Sequence, residues 1–331
     1  RSDYSIVMMA SNAEMTEVIV TGYTRERRGS FAGAASKVES KAVNQVPNAS
    51  IDQLLQGRSP GLYVTAGSGQ PGRAATVLVR GVGSISGSTT PLYIMDGIPI
   101  EAAAFASLSS SDIESIDVLR DASATSLYGS RGANGVIVIT TKRGRNNTRI
   151  IFGVNSQIGI SDRTTPKFEM MSSQQRIQYE EEVGLENGLN IGPGWRFSRK
   201  NPNNAGLPES TLQSYDRILD SLSSMNVDWT DIFFRRGTFQ QHQITASGGS
   251  DKLAFYTSLD YFKQEGIAIR SGLERYSFRT NVDFKSDKFS AGLSTTLNYS
   301  QTSVIENENT TAVTNPFASV YYALPYEYPY I

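Results

Sequence analysis

The sequence predicts an α+β domain followed by antiparallel β-strands that cross a membrane. Two observations lead to this fold class. Between residues 36 and 144, short apolar runs are separated by capping and turn residues, as in a compact mixed domain. Beyond residue 148, polar and apolar residues alternate over segments of roughly 12 residues, which suits strands that cross a ~25 Å apolar band at a tilt.

Composition excludes several classes of protein. The 331 residues include 31 Lys or Arg and 32 Asp or Glu, so the formal net charge is −1 and a nucleic-acid partner is not expected. Cysteine is absent and His242 is the single histidine, which excludes disulfides and leaves almost no room for His-dependent catalysis. No window approaches about 18 consecutive apolar residues, which excludes a helical membrane protein. The chain starts at Arg1 without a signal segment, and we expect it to be processed or excised material.

Each element of the α+β domain is predicted from a local pattern. Residues 48–57 combine a capping residue, an amphipathic turn and a glycine stop, which predicts a helix. The Asp-Gly pair within 91–100 separates two apolar runs and predicts a β-hairpin. Further strands are predicted at 61–65, 76–80, 111–120 and 135–141.

The long segments are predicted to have one apolar and one polar face. They lie at 149–161, 240–247, 253–261, 274–285 and 288–300. One polar face carries the charged residues Arg275, Arg279, Asp283 and Lys285. We expect this face to point inward, because an arginine that faces lipid at mid-depth costs ~2–4 kcal/mol. A soluble β-sandwich also alternates and is the alternative, but strand length and the charge of the polar face favour the membrane.

The connections between these segments differ in length. Residues 248–251 and 286–287 form tight turns, whereas 162–237 and 265–273 are longer. Short periplasmic turns and long outer loops are typical of outer-membrane strands. Aromatic residues near the strand ends are candidates for the interfacial girdles, namely Tyr256, Tyr261, Phe262, Tyr276, Phe284, Phe289 and Tyr299.

The longest connection is predicted to contain structure of its own. A helical pattern covers 170–186, and Trp195, Phe197 and Tyr215 are aromatic. Such rings can stack on sugars, but an ordered loop with a small core explains them more simply. We favour that second interpretation.

An extended segment precedes the α+β domain. Three adjacent β-branched residues favour extension, and a glycine then lets the chain turn away. The segment consists of Glu17, Val18, Ile19, Val20, Thr21, Gly22 and Tyr23. Its flanks are polar, so the pattern indicates a short adhesive strand in a polar setting.

Five motifs occur along the chain in a fixed order. They are Glu17-Val-Ile-Val-Thr-Gly-Tyr23, Leu54-Leu-Gln-Gly-Arg-Ser-Pro-Gly-Leu62, Val79-Arg-Gly-Val-Gly-Ser84, Pro91-Leu-Tyr-Ile-Met-Asp-Gly-Ile-Pro99 and the run from Asp112 to Gly144. In this order they resemble the TonB box and plug of the SusC-type TonB-dependent transporters. The stretch from Asp228 to Gly237 is also similar to the start of that family's barrel.

The resemblance implies an α+β plug domain followed by antiparallel transmembrane β-barrel strands. It divides the chain into an N-terminal tail with the TonB box (1–23), a plug (24–147) and the first barrel strands with their outer loops (148–331). A plugged barrel of about 22 strands of ~10 residues needs ~220 residues before any loop, whereas some five strands follow the plug. We therefore expect the N-terminal part of a longer transporter.

The resemblance also implies the function. The expected activity is TonB-dependent import of an oligomeric nutrient, glycan by default, across the outer membrane of a Gram-negative, Bacteroidota-like bacterium. The expected partners are TonB with its ExbB/ExbD motor, membrane lipid and a SusD-like surface lipoprotein as lid, and a dimer of transporter–lid pairs is compatible with it. Oligopeptides, or a siderophore or cobalamin-like ligand, are alternative substrates. A surface receptor or structural barrel without transport is the alternative from another class.

Several residues receive roles through the resemblance. Contacts between plug and barrel are expected at Arg80, Arg120, Asp121 and Arg131, with solvated surface charge as the alternative. Substrate-facing positions are expected at Ser68, Gln70, Ser84 and Ser86. The common catalytic signatures are missing, so we do not expect an enzyme, a catalytic residue or a metal site. No cofactor is expected, and bound calcium is left open.

Overall fold

The structure is a computed structural model that describes residues 18–20, 25–27, 35–40, 50–66, 69–83, 87–164, 169–305 and 315–328. The chain falls into two compact units. The described residues of unit 1 lie within 1–157, 241–262 and 274–301. Those of unit 2 lie within 158–240, 263–273 and 302–331.

Unit 1 contains an α+β domain. Its strands are β1 Val18–Val20, β2 Arg25–Arg27, β3 Ala35–Glu39, β4 Leu62–Thr65, β5 Thr76–Val79, β6 Leu92–Met95, β7 Ile98–Ile100, β8 Ile113–Leu119 and β9 Val136–Thr141. Its helices are α1 Ile51–Leu54, α2 Ala102–Ala106 and α3 Ala122–Thr125, with 3₁₀ turns at Ser110–Asp112 and Ser126–Gly132. The main sheet has the order β3-β8-β9-β6-β7, and its β6–β9 pair is parallel.

The main sheet carries an apolar core on each face. Strand β9 shows why, because Ile137 and Ile139 pack into one core while Val136 and Val138 pack into the other. Strands covered on both faces have such continuous apolar sequences. Each fully buried side chain of this kind stabilises the fold by about 1.5–3 kcal/mol. The second core also contains Ile19 of β1, which is 3% exposed.

The short elements confirm most of the sequence predictions. The Asp-Gly hairpin joins β6 to β7, with φ of 49° at Asp96 and 90° at Gly97, as a two-residue turn of the favoured hand requires. The helix predicted at 48–57 is shorter, since α1 covers Ile51–Leu54 and residues 48 and 49 lie outside the described residues. The other predicted strands are present as β4, β5, β8 and β9.

Five long strands follow the α+β domain. They are β10 Thr148–Ser161, β11 Gly237–Gly249, β12 Leu253–Glu265, β13 Gly272–Lys285 and β14 Ser290–Ser303, hydrogen-bonded in sequence order. Each has 13 or 14 residues, more than twice the usual strand length of about 5–6. All five predicted segments are therefore confirmed as strands.

The polarity of this sheet is inverted relative to a soluble protein. In β12 and β13 the polar residues are buried, for example Asp260 at 3% and Arg279 at 2% exposure. The apolar residues on the opposite face are exposed, for example Leu259 at 58% and Tyr276 at 49%. A β-sandwich buries its apolar face, so this arrangement contradicts the sandwich and agrees with membrane strands. We call the buried polar face the inner face and the exposed apolar face the outer face.

Two residues assigned to the aromatic girdles are on the wrong face. Tyr256 and Phe262 are 5% and 1% exposed and belong to the inner face of β12. The alternation of side chains along a strand determines their position, because even-numbered residues of β12 point inward and odd-numbered ones outward. Nearness to a strand end did not distinguish the two faces. Tyr261, on the other phase, does lie on the outer face.

Unit 2 contains the long connection between β10 and β11. Its helices are α4 Ser173–Asn187, α5 Pro193–Arg196, α6 Glu209–Ser224, α7 Trp229–Phe233 and α8 Pro316–Tyr322. The predicted helix at 170–186 is confirmed by α4, which begins with a capping box of Ser172 and Gln175 and ends at Gly188 with φ of 67°. In the described part of the chain, no helix is long and apolar enough to cross a membrane.

A small core holds the helices of unit 2 together. Trp195 is 5% exposed and lies against Gly184 of α4, where an added Cβ would come within 2.1 Å of the indole ring. The rings of Phe197 and Tyr215 are 4.9 Å apart. The favoured interpretation of these aromatic residues, an ordered loop with its own core, is confirmed for Trp195.

We expect Gly184→Ala to destabilise unit 2. Alanine raises helix propensity by about 1 kcal/mol over glycine, but its Cβ would lie 2.1 Å from the buried indole of Trp195. The ring or the backbone must therefore shift, at a cost of about 1–3 kcal/mol or more. Gly206→Ala is the matched control, because an added Cβ there has nothing within 4 Å. Limited proteolysis of the full-length protein within 170–225 measures the effect. Equal resistance of the two variants would show that Trp195 does not depend on Gly184.

Candidate functional site

The hairpin turn of the α+β domain presents a carboxylate to the inner face. Asp96 occupies the first turn position with a φ of 49°, and its carboxylate reaches the end of the neighbouring strand β9. Its Oδ1 accepts a hydrogen bond from the backbone N–H of Thr141 at 3.1 Å, and its Oδ2 accepts one from the Thr141 hydroxyl at 2.6 Å. The turn and the end of β9 together fix the carboxylate.

Arg279 of β13 is the cation that meets this carboxylate. Its Nη2 lies 2.7 Å from Asp96 Oδ2 and 2.5 Å from the Thr141 hydroxyl, while its Nη1 donates to Thr296 Oγ1 at 2.7 Å. The side chains of Arg279 and Asp96 are 2% and 7% exposed. Asn281, two residues along the same face, donates to the backbone carbonyl of Lys142 at 2.7 Å.

A second carboxylate of the α+β domain is held by two other strands. Asp112 Oδ1 accepts hydrogen bonds from Gln243 of β11 at 3.0 Å and from the Tyr256 hydroxyl of β12 at 2.9 Å. Beside it, Gln241 donates to Asp260 at 2.7 Å. We use the name inner-face cluster for the residues that join the domain to the strands: Asp96, Asp112, Thr141, Gln243, Tyr256, Arg279 and Asn281.

Arg275 extends the charged region along β13. It is 2% exposed, and its Nη2 lies 4.0 Å from Asp260 Oδ1. Its guanidinium carbon also lies 5.2 Å above the ring of Phe262, within the range of a cation–π interaction. The expectation that Arg275, Arg279 and Asp283 point inward is confirmed, since Asp283 pairs with Arg143 of unit 1 at 2.7 Å.

Two of the four residues expected to join plug and barrel make hydrogen bonds within the plug. Arg120 donates to the backbone carbonyl of Pro60 at 2.6 Å, and Asp121 caps α3 by accepting from Ala124 N at 2.8 Å. Arg80 and Arg131 are exposed, and Arg80 has a φ of 62°. A contact of these residues with the barrel stays a prediction.

The substrate-facing candidates are mostly outside the described residues. This applies to Ser68, Ser84 and Ser86. Gln70 is described and is 4% exposed. Their contact with substrate stays a prediction.

The adhesive segment is partly described as β1. Val18–Val20 pairs antiparallel with Arg25–Arg27 through three residue pairs, and Ile19 packs into the second core of the main sheet. The remaining residues of the segment, Glu17, Thr21, Gly22 and Tyr23, lie outside the described residues. The segment is thus extended, as predicted, where it is described.

A buried carboxylate organises unit 2. Glu180 of α4 is fully buried and accepts hydrogen bonds from Arg176 Nε at 3.0 Å, Gly194 N at 2.9 Å and the Tyr326 hydroxyl at 2.7 Å. Burial, followed by the bond to Glu180, raises the pKa of the Tyr326 phenol, so the hydroxyl remains a donor. The Glu180 carboxylate therefore joins α4 to Gly194 and to Tyr326, which is 146 residues further along the chain.

Unit 2 also contains a cavity of 470 Å³. Its lining combines aromatic and sulfur-containing side chains with polar ones, including Met170, Met171, Trp229, Tyr321, Arg163 and Asn226. Trp229 is held in place by its indole N–H, which donates to the backbone carbonyl of Leu324 at 2.9 Å. Across the described ranges, no group of three or more His, Asp or Glu side chains is arranged to hold a metal ion.

Known proteins share this architecture. Residues 28–136 match the family model of the TonB-dependent Receptor Plug Domain. The chain is 35% identical over 296 residues to TonB-dependent receptor P26 of Formosa agariphila, covering 88% of this chain and 28% of that receptor. It is 26% identical over 285 residues to TonB-dependent receptor SusC of Bacteroides thetaiotaomicron, covering 84% and 25%. The RagAB peptide importer in its open-open state aligns with a TM-score of 0.70 and 32% identity, covering 87% of this chain and 33% of the matched chain.

An α+β plug seated on the polar face of transmembrane strands defines the class of TonB-dependent receptors, which are outer-membrane proteins of Gram-negative bacteria. The strands and their sequence order agree with this class. Within it, the chain belongs to the SusC-type TonB-dependent transporters and contains their plug and first barrel strands. It spans about a quarter of the length of the curated relatives it matches.

We expect Arg279→Met to weaken the attachment of the plug by about 3–5 kcal/mol, because Asp96 would then be buried without its cation. Arg143→Met is the matched control. Its pair with Asp283 also joins plug and strand but is about one-third exposed on both sides, so its loss costs at most about 1 kcal/mol. The denaturant midpoint of plug release in the full-length receptor, followed by protease cleavage of the plug, measures both.

A second change checks the cause of this effect. Asp96→Asn in the Arg279→Met background removes the uncompensated charge and is expected to restore part of the lost stability. If the two arginine variants release the plug at the same midpoint, the buried pair is not what holds it.

Proposed function

We propose that this chain is part of a TonB-dependent importer that moves an oligomeric nutrient across the outer membrane. The observation that supports it best is the polar character of the inner-face cluster. Most hydrogen bonds of this cluster have a charged partner and contribute about 1.5–3 kcal/mol each in net terms, because water competes for both partners when the bonds break. An attachment built from them is specific at rest and yields to a pull, which a continuous apolar core would resist.

The strand β1 is our candidate for the place where the pull is applied. An extended segment offers its backbone N–H and C=O groups as an additional strand to the sheet edge of a partner, here TonB with its ExbB/ExbD motor. In the described part of the chain β1 has one paired neighbour, the three-residue strand β2. Because this pairing involves three residues of each strand, breaking its backbone hydrogen bonds costs little free energy. Force on β1 would then reach the main sheet through Ile19.

We expect Ile19→Pro to abolish uptake while substrate binding at the cell surface persists, because proline removes a backbone donor that strand addition needs. Ile19→Ala is the matched control, since it loses the same packing but keeps the N–H. Uptake and surface binding by whole cells measure the two steps separately. Deletion of residues 17–23 is expected to behave like the proline variant. Normal uptake by the deletion variant would rule out this segment as the TonB box.

For the substrate, two classes of oligomer have separate support. Glycan is the expectation from the resemblance, and the RagAB peptide importer, at 32% identity, is a specific observation that favours oligopeptides. The cavity of unit 2 is our candidate for an early contact, because unit 2 contains the long connections that face outward in such barrels. A SusD-like lipoprotein as lid and a Bacteroidota-like host belong to the same proposal.

We expect cells that carry the receptor to deplete either defined oligosaccharides or defined oligopeptides from the medium, and to lose this ability when TonB is deleted. Mass spectrometry of the medium identifies which class disappears. Depletion that is independent of TonB would support the alternative, a surface receptor or structural barrel without transport.

A further inference from the structure

The only histidine of the chain lies on the outer face of the sheet, where lipid is expected. His242 of β11 is exposed, and its Nδ1 lies 2.9 Å from the hydroxyl of Ser156 on β10. On its other side the imidazole lies parallel to the ring of Tyr261 on β12, with centroids 6.3 Å apart and planes at 3°. A hydroxyl, an imidazole and a phenol therefore form a line across three strands.

A carboxylate continues this line on β13. The rings of Tyr261 and Tyr276 are 5.0 Å apart. Both hydroxyls donate to the same oxygen, Glu274 Oε1, at 3.2 and 2.6 Å. We call Ser156, His242, Tyr261, Glu274 and Tyr276 the polar row. His242 and Glu274 bring an imidazole and a carboxylate to the outer face, and Lys263 and Glu265 follow on the outward phase of β12 toward the end of that strand.

Next to the polar row runs an apolar groove. Its apolar lining comes from four strands and includes Ile244, Leu259, Phe278 and Leu297, with His242, Tyr261 and Tyr276 at its border. The groove has a volume of 740 Å³, and Leu259 and Leu297 are 58% and 62% exposed. A hydrogen-bonding border beside an apolar groove suits an amphipathic molecule, whose polar part contacts the border and whose apolar part lies in the groove.

The cost of the polar row argues for a specific occupant. Ionisable side chains that face lipid are expensive and usually functional. Among the described residues that line the groove there is no lysine or arginine, the side chains that recognise phosphate. What the row offers instead is a hydroxyl, an imidazole, phenols and a carboxylate, which exchange hydrogen bonds with alcohols and amides. Tyr276 is also 49% exposed, so that its aromatic ring is available to stack on a sugar ring.

The position of the row along the strands selects the leaflet. Glu274 and Tyr276 are the third and fifth of the 14 residues of β13, and His242 is the sixth of the 13 residues of β11; both strands follow longer connections. Long connections lie outside the cell in barrels of this class, so the row faces the outer leaflet. The amphipathic lipid of that leaflet is a glycolipid, with acyl chains on an acylated amino-sugar headgroup.

We propose that the polar row and the groove form a binding site for one outer-leaflet glycolipid. The sugar headgroup contacts His242, Tyr276 and Glu274, and an acyl chain lies along Leu259, Phe278 and Leu297. Recognition is through the sugar hydroxyls and amides rather than through phosphate. The site is on the membrane side of the sheet and is independent of the imported substrate.

The test uses the full-length receptor extracted from outer membranes in mild detergent. After delipidation, purified lipid A or phosphatidylethanolamine is added back, and native mass spectrometry counts the lipid bound to each receptor. We expect lipid A to bind the unaltered receptor more tightly than the phospholipid. Glu274→Gln, which keeps the shape but removes the charge, is expected to weaken lipid A binding about tenfold, as for loss of a charged hydrogen-bond partner.

Two further variants separate recognition from a general loss of structure. Tyr276→Phe keeps the ring and is expected to weaken lipid A binding less than Glu274→Gln does. Asp287→Asn removes an exposed carboxylate from the β13–β14 turn at the other end of the same strands and is expected to leave binding unchanged.

Three results would overturn the proposal. The first is equal lipid A binding by the unaltered receptor and Glu274→Gln. The second is tighter binding of phosphatidylethanolamine than of lipid A. The third is a loss of paired receptors in Glu274→Gln with lipid A binding unchanged, which would make the row an interface between copies of the receptor.

Discussion

The buried pair between Arg279 and Asp96 is the contact on which the arrangement of unit 1 depends. Its 2.7 Å separation and near-complete burial mean that neither charge tolerates loss of the other. The pair is possible only because the Asp-Gly hairpin holds Asp96 at a positive φ beside the end of β9. The β6–β7 turn of the plug and the inner face of β13 therefore meet at this pair. The pair fixes which residue of β13 lies opposite the turn.

Two consequences follow for the sheet. The charged residues of β13 contact the plug on the inner face of the sheet. The outer face therefore carries exposed apolar residues, which a membrane covers. Plug and strands are joined by hydrogen bonds and charges that water can replace, and the proposed release of the plug under force relies on this contact surface. The outer face is not uniformly apolar, because His242 and Glu274 interrupt it, as do Lys263 and Glu265 toward the end of β12.

Much of this fold could be predicted from the sequence. Strict alternation in 274–285 gave the faces of β13, and the Asp-Gly pair gave the hairpin. The role of Asp96 could not be predicted, because a turn aspartate has a sufficient local reason to be there and its partner is distant in sequence. Asp112 lies within the strand predicted at 111–120, and no local pattern linked it to its partners Gln243 and Tyr256. Arg120 and Asp121 each make a hydrogen bond within the plug, and their expected contact with the barrel stays a prediction.

The absence of cysteine in this chain allows a direct measurement of the two faces. Single cysteines at positions 276–278 and 280–283 of β13 leave Arg279 in place. In the full-length receptor, with any other cysteines replaced, they would carry spin labels for accessibility to oxygen, which partitions into lipid, and to a water-soluble nickel complex. The expected result is a period of two, with even positions open to oxygen and odd positions shielded from both reagents by the plug. Oxygen accessibility at 277 or 281 equal to that at 278 or 280 would contradict a plug seated on the polar face.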